Sequence, residues 1–237
     1  MSRLQSSRGR FAVVLGVAAT VAAVLIGASQ VGARQIGTSD AKPAEPVQMV
    51  ESLFAGIEQQ GVALGSPAAP VTLVEYADLQ CPYCAQWSRE TLPVLVDKFV
   101  ETGKLRIVFH GLAFIGADSD KALRTAIAAG QDDHLWDVIH GLYASQGAEN
   151  AGWVTDELVS EIAAGVPGLD SEKLLSARWE SAVEPELRRA AAAADVAGVH
   201  GTPAFQLGPT AGRLALVKIT SLGPEGIVPA IEAVLAR

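Results

Sequence analysis

Cys81 and Cys84 are the only cysteines in this chain of 237 residues, and they stand together in the run Cys81-Pro82-Tyr83-Cys84. A disulfide that closes so short a loop removes little chain entropy from the unfolded state, so the pair makes a poor staple. A structural zinc site needs four ligands, and no second cysteine pair exists to complete one. A reversible dithiol/disulfide fits the spacing better. Pro82 suits the first position of a helix, where a missing N–H costs nothing and φ is already near helical values. Cys81 then sits at a helix N-terminus, before unpaired backbone N–H groups and the positive end of the helix dipole. Both favour thiolate over thiol, so the Cys81 pKa is expected to fall. Cys84, one turn further in, is expected to be more buried and to act as the resolving thiol.

The elements that must position this pair lie on either side of it. Val71-Thr72-Leu73-Val74-Glu75-Tyr76-Ala77 reads as an apolar, β-branched strand, and Asp78-Leu79-Gln80 as a short turn. Behind the pair, Trp87, Leu92, Leu95 and Phe99 recur at helical spacing to about Thr102, with Gly103 suited to the residue just past the end. Pro93 lies within that pattern and predicts a kink near Arg89 to Pro93. Leu105–His110 reads as a second strand, which completes a β–α–β unit.

These residues resemble the thioredoxin superfamily, and specifically its DsbA-like disulfide oxidoreductases, over roughly residues 61–237. Two further features carry the resemblance. Glu75 lies six residues before Cys81, where family members hold an acidic residue beneath the active-site pair. Val199-His200-Gly201-Thr202-Pro203-Ala204-Phe205 resembles the family's loop ending in a cis-proline opposite the cysteines. The resemblance implies an α/β thioredoxin fold, a central mixed β-sheet flanked by helices, with a helical insertion at about 111–198. It implies a redox-active Cys81–Cys84 disulfide that needs no cofactor and no metal. Substrate is then held by the Thr202-Pro203 loop, by β-augmentation beside Cys81, together with Pro82 and Tyr83. The Pro82-Tyr83 dipeptide departs from the Pro-His of the strongest oxidants, and implies a smaller pKa depression and a less oxidising pair.

The residues have plainer readings as well. An acid inside an apolar strand is costly unless it has a use, so Glu75 is either a buried proton acceptor for Cys84 or an exposed glutamate at an edge. Thr202-Pro203 is otherwise an ordinary turn before a strand. His110, His134 and His140 read as structural or solvent-facing, and only His200 has a position from which to modulate Cys81. Trp136, Trp153 and Trp179 read as core or rim packing.

At the N-terminus, Arg3, Arg8 and Arg10 precede an apolar run from Phe11 to Gly27, with no charge until Arg34. Positive flank first and apolar run second predicts an Nin–Cout single-pass signal anchor in residues 1–34, with Val31-Gly32-Ala33 as a cleavage site in the alternative reading of a signal peptide. Either way the remainder is exported to a compartment where disulfides persist. Residues 35–60 read as a linker, Gly37 to Pro46, followed by a short amphipathic helix over Met49–Gln59; Gly61–Gly65 reads as an edge strand. In the insertion, Asp118-Ser119, Asp132 or Asp133, Thr155 and Asp170 are candidate helix caps, Pro185 restarts a helix, and Gly198 ends it. Ala204–Leu207 and Arg213–Ile219 read as the last two strands, and Pro224–Ala236 as the closing helix.

The chain carries a formal charge of −8, and the first 34 residues hold four arginines and no acid, so the remainder carries −12. Such a surface argues against nucleic-acid or anionic-membrane binding. The exported part fits one domain of about 170–180 residues. The reading that joins these features is an extracytoplasmic thiol-disulfide oxidoreductase, an oxidase first and a reductase or isomerase second. Its partners are cysteine-containing exported proteins and a membrane redox partner, a quinone-linked oxidase or a reductase. A tethered copper carrier using the thiol pair as soft ligands is the reading from a different class.

Overall fold

The structure, a computed structural model, describes residues 53–237. The apolar run Phe11–Gly27, the Gly37–Pro46 linker and the start of the expected Met49–Gln59 helix lie outside the described residues. Among those residues, six strands form one sheet: β1 (Gln59–Gln60), β2 (Ala63–Leu64), β3 (Val71–Ala77), β4 (Leu105–Gly111), β5 (Ala204–Pro209) and β6 (Ala215–Val217), ordered β1-β2-β4-β3-β5-β6. β3 runs parallel to β4 and antiparallel to β5, with Glu75 opposite Phe109 on one side and Phe205 on the other. The sheet is therefore mixed, and β3 lies inside it.

All seven residues of β3 are buried, as a strand covered on both faces requires. The pleat sends Val71, Leu73, Glu75 and Ala77 to one face and Thr72, Val74 and Tyr76 to the other. The first face joins the main core, which includes Cys81, Cys84, Trp87 and Phe205. Val74 and Tyr76 belong to a smaller cluster with Ala194 on the opposite side.

Between β3 and β4 the chain forms α1 (Pro82–Glu90), α2 (Leu92–Leu95) and a π-helical turn, Val96–Val100. The break falls at Thr91, inside the expected kink, because Pro93 has no N–H to offer the Arg89 carbonyl. Gly103 closes the segment at φ 67°, a backbone conformation open to glycine at little cost. The insertion supplies α3 (Ala117–Gly130), α4 (Leu135–Ala144), α5 (Asp156–Ala164), α6 (Ser171–Ala177) and α7 (Glu184–Ala197). Thr155 and Asp170 cap α5 and α6 as expected, accepting the N–H groups of Leu158 and Lys173. Gly198 ends α7 at φ 70°.

Several local expectations are corrected. The Met49–Gln59 helix does not reach Gln59: after Leu53 the chain bends and turns, Gly56 takes φ 75°, and Gln59–Gln60 is already strand. Its apolar residues Leu53, Phe54 and Ile57 pack on the core without helical periodicity. Gly61–Gly65 is the turn and second strand of a β1–β2 hairpin, so β1, and not β2, lies at the edge. Asp118 and Asp133 are not caps. Asp118 accepts the Gly152 and Trp153 N–H groups, and Asp133, at φ 60°, accepts that of Gly61. In both cases a distant donor outcompetes the local one. The last strand is only Ala215–Val217, and the closing helix α8 (Val228–Leu235) follows a 3₁₀ turn at Pro224–Gly226. Trp136 is in the core and Trp153 packs against it, whereas Trp179 is exposed and stacks with Arg124 and Arg178. Among the described residues no helix is long and apolar enough to cross a membrane.

Candidate active site

β3 ends at the redox loop, and the loop is held so that Cys81 occupies the N-cap of α1. Asp78 does most of this. Its buried carboxylate accepts from Ser119 Oγ at 2.6 Å and from the backbone N–H of Gln80, Phe114 and Ile115 at 2.9, 3.0 and 3.2 Å. A buried carboxylate satisfied by four donors holds the turn to the insertion more firmly than apolar packing alone. Cys81 has φ −70° and ψ 120°, extended values suited to an N-cap, and Pro82 follows it in the first turn.

Both cysteines are free thiols, and both are buried. The structure separates them electrostatically. Cys81 is pulled from an ordinary 9.0 down to about 6, chiefly by the hydrogen bond from the Cys84 thiol. The Thr202 side chain and the backbone N–H groups of Cys84 and Tyr83 act in the same direction, against the effect of burial. Cys84 is pushed well above 9.0, first by burial, then by its bond to Cys81 and by the charges of Cys81 and Glu75. One sulfur is thus prepared as a thiolate and leaving group, and the other keeps its proton.

Glu75 lies beneath the pair, on the face of β3 that joins the core. It is 2 % exposed, and its Oε1 has no hydrogen-bond partner among the described residues. Burial alone raises its pKa from 4.5 to about 8. The exposed-edge reading is thereby excluded, since β3 has a neighbour on each side.

Opposite the cysteines, the Thr202-Pro203 peptide is cis. The Cys81 thiol donates to the Thr202 carbonyl at 3.5 Å, so the loop meets the sulfur directly. Pro82 and Tyr83 are exposed, Tyr83 by 61 %. Phe114, from the loop after β4, is exposed by 59 % and lines a shallow apolar groove with Leu112, Val199, His200 and Gly201. His200 lies on the rim of that groove and is exposed. No hydrogen bond links it to Cys81 among the described residues.

Sequence reasoning brought Cys81, Cys84, Glu75 and Thr202 to one place, and the structure brings them together. It missed the supports. Asp78 and Gln80 carried a signal, two polar residues wedged between a buried strand and the cysteines. Tyr143 and Gln146 carried none. The buried Tyr143 hydroxyl donates to the Asp78 carbonyl at 3.3 Å, and its pKa is raised by burial and by the nearby Cys84, Glu75 and Cys81. Only the fold of the insertion brings these two residues to the redox loop.

The chain is similar to known proteins over this same region. A family model described as thioredoxin matches residues 58–211. The Bacillus anthracis protein named "Probable disulfide bond formation protein D" is 32 % identical over 154 residues, which is 64 % of this chain and 70 % of that protein. Among solved structures, oxidised BdbD from Bacillus subtilis superposes with a TM-score of 0.65 at 21 % identity, over 76 % of this chain and 98 % of that one. A thioredoxin-like oxidoreductase from Silicibacter pomeroyi gives a TM-score of 0.58 at 26 % identity, over 79 % and 98 %. With the fold, the paired cysteines and these relatives in agreement, the chain belongs to the thioredoxin family, as a DsbA-like thiol-disulfide oxidoreductase.

Proposed function

We propose that the protein is an extracytoplasmic oxidase that passes its Cys81–Cys84 disulfide to cysteine-containing exported proteins. The observation that carries the direction is the opposed tuning of the two thiols. A Cys81 thiolate stabilised to about pH 6 stabilises the reduced form, which makes the disulfide the better oxidant. The names of the Bacillus relatives, which speak of disulfide bond formation, support the same direction.

In this reading a substrate thiolate attacks Sγ of Cys81, forming a mixed disulfide and breaking the Cys81–Cys84 bond. Cys84 leaves as a thiolate and takes up a proton, for which the buried Glu75 carboxyl is the donor; in the reverse direction Glu75 accepts it. A second substrate thiolate then attacks the substrate sulfur bound to Cys81, and Cys81 leaves as a thiolate. Two substrate thiols become a disulfide, and the enzyme pair gains the two electrons. Thr202 and Pro203 hold an extended substrate segment beside Cys81, with Pro82 and Tyr83 as the exposed face it crosses. A membrane quinone-linked partner takes the electrons away, and residues 1–34 tether the domain on the outer side of the cell membrane.

A redox titration of the full chain against glutathione mixtures tests the direction. An oxidase is expected to be half-reduced at a potential above roughly −230 mV, in the glutaredoxin-to-isomerase range or higher. A value near or below about −270 mV, the thioredoxin range, would make it a reductase.

A further inference from the structure

The redox loop is gripped from the insertion by side-chain amides that the sulfur chemistry itself does not use. Gln146, just beyond α4, donates from Nε2 to the Leu79 carbonyl at 2.9 Å and to the Cys81 carbonyl at 3.3 Å. Leu79 is buried, and no other described residue donates to its carbonyl. The Cys81 carbonyl also receives the Ala85 N–H at 3.1 Å, the first bond of α1. Four residues further on, Asn150 clasps Gln80: its N–H donates to Gln80 Oε1 at 2.6 Å, and Gln80 Nε2 donates to its Oδ1 at 3.1 Å. Asn150 takes φ 56° to do so, and its amide lies against Gly116, where a Cβ would clash. The segment 146–150 thus fixes residues 79–81 from one side.

We propose that Gln146 is a positioning residue for Cys81: its amide holds the Leu79 and Cys81 carbonyls in place and thereby sets the reactivity of the Cys81 sulfur. Two physical effects act together. The Cys81 carbonyl oxygen is the negative end of a peptide dipole on the residue that carries the sulfur, and an N–H donor directed at it offsets that field. Fixing the Cys81 peptide also keeps Sγ over the N–H groups of Tyr83 and Cys84, which favour its thiolate. The titratable groups around Cys81 are Cys84 on α1, Glu75 on β3, Tyr143 on α4 and Asp78 in the redox loop, with exposed His200 on the Thr202 loop. Substitution of Gln146 alters none of them.

The inference rests on the reading of Cys81 as the attacking thiol, and one experiment separates the two. In the full chain carrying Cys84→Ser, the alkylation rate of Cys81 is followed against pH for the parent and for Gln146→Met, Gln146→Glu and Gln146→Lys. Methionine keeps the length but removes the donors, glutamate adds a negative charge, and lysine keeps a donor. The Met variant should alkylate about three-fold more slowly at pH 6 and reach the parent rate well above pH 8, the signature of a raised pKa. The Glu variant should be slower still, and the Lys variant at least as fast as the parent. Asn150→Ala, which loosens the same segment without touching Gln146, should shift the profile in the same direction by less. Superimposable profiles across the series, with only the melting temperature changed, would overturn the positioning role. A reduced chain that keeps both cysteines and shows no low-pKa thiol would overturn both readings at once, since Cys84, the largest cause of the Cys81 shift, is then in place.

Discussion

At the scale of single residues, Glu75 is at odds with its surroundings, a 2 % exposed acid with an unpartnered oxygen. An unfolded glutamate releases its proton near 4.5, whereas the folded chain holds it to about 8. Between those values the folded state binds the extra proton, so this group's contribution is fully present below pH 4.5 and is lost as pH rises through about 8. The contribution is on the order of a few kcal/mol across the window, at about 1.4 kcal/mol per pKa unit. Cys81 works in the opposite sense: its depressed pKa adds stability to the reduced protein that grows as pH rises from about 6, is fully present above 9.0, and is lost as pH falls through about 6. The difference between the reduced parent and reduced Glu75→Gln isolates the first effect. Denaturant titrations should show the variant gaining on the parent from pH 5 to pH 8. Resolution of mixed disulfides by Cys84 should also slow near neutral pH and change its pH dependence, since the thiol, held well above 9.0, must then lose its proton without the carboxylate. A stability difference that is flat with pH, or an unchanged pH–rate profile, would remove Glu75 from the mechanism.

At the scale of elements, α1 can deliver Cys81 only if it stops where it does, and Thr91 marks the stop. Its side chain is fully buried, and its hydroxyl donates to the Leu222 carbonyl at 2.6 Å, tying the break to the segment before α8. Thr91→Val should cost about 1–2 kcal/mol in urea unfolding and leave the Cys81 alkylation profile unchanged, since the lost bond is far from the sulfur. A loss under a few tenths of a kcal/mol would mean that water satisfies the carbonyl instead. The break itself was readable from Pro93, because a missing N–H acts on its own helix. β3, β4 and the capped starts of α5 and α6 were readable for the same reason: apolar, β-branched runs, Thr155 and Asp170 all act on near neighbours. The sequence hid whatever a distant partner decides. Asp118 and Asp133 looked like caps but serve the N–H groups of Gly152, Trp153 and Gly61, and Gln146 had no local role to reveal it. Cys81, Cys84, Glu75 and Thr202 were legible because each breaks a local rule or belongs to the family pattern. Their supporting residues break none.

At the scale of the whole molecule, the fold gives the two sulfurs different access to a partner protein. Cys81 meets the carbonyl of Thr202, the residue after Val199, His200 and Gly201, which line the groove with Phe114, and exposed Tyr83 lies two residues beyond Cys81, whereas Cys84 is fully buried. A partner chain laid across this surface reaches the first sulfur and not the second. Cys84→Ser leaves Cys81 able to form a mixed disulfide but removes the thiol that would resolve it within the enzyme. In cells this variant should accumulate covalent complexes with exported proteins. Cys81→Ser should accumulate few, because its remaining thiol is both inaccessible and protonated, its pKa held well above 9.0. Acid quenching, alkylation and non-reducing gels of the full chain read this out, and reduction should release the trapped partners. Equal trapping by both variants would reverse or erase the assigned order of the sulfurs. If neither variant traps a partner, the thiols do not exchange with proteins, and the reading of the pair as soft metal ligands would take precedence.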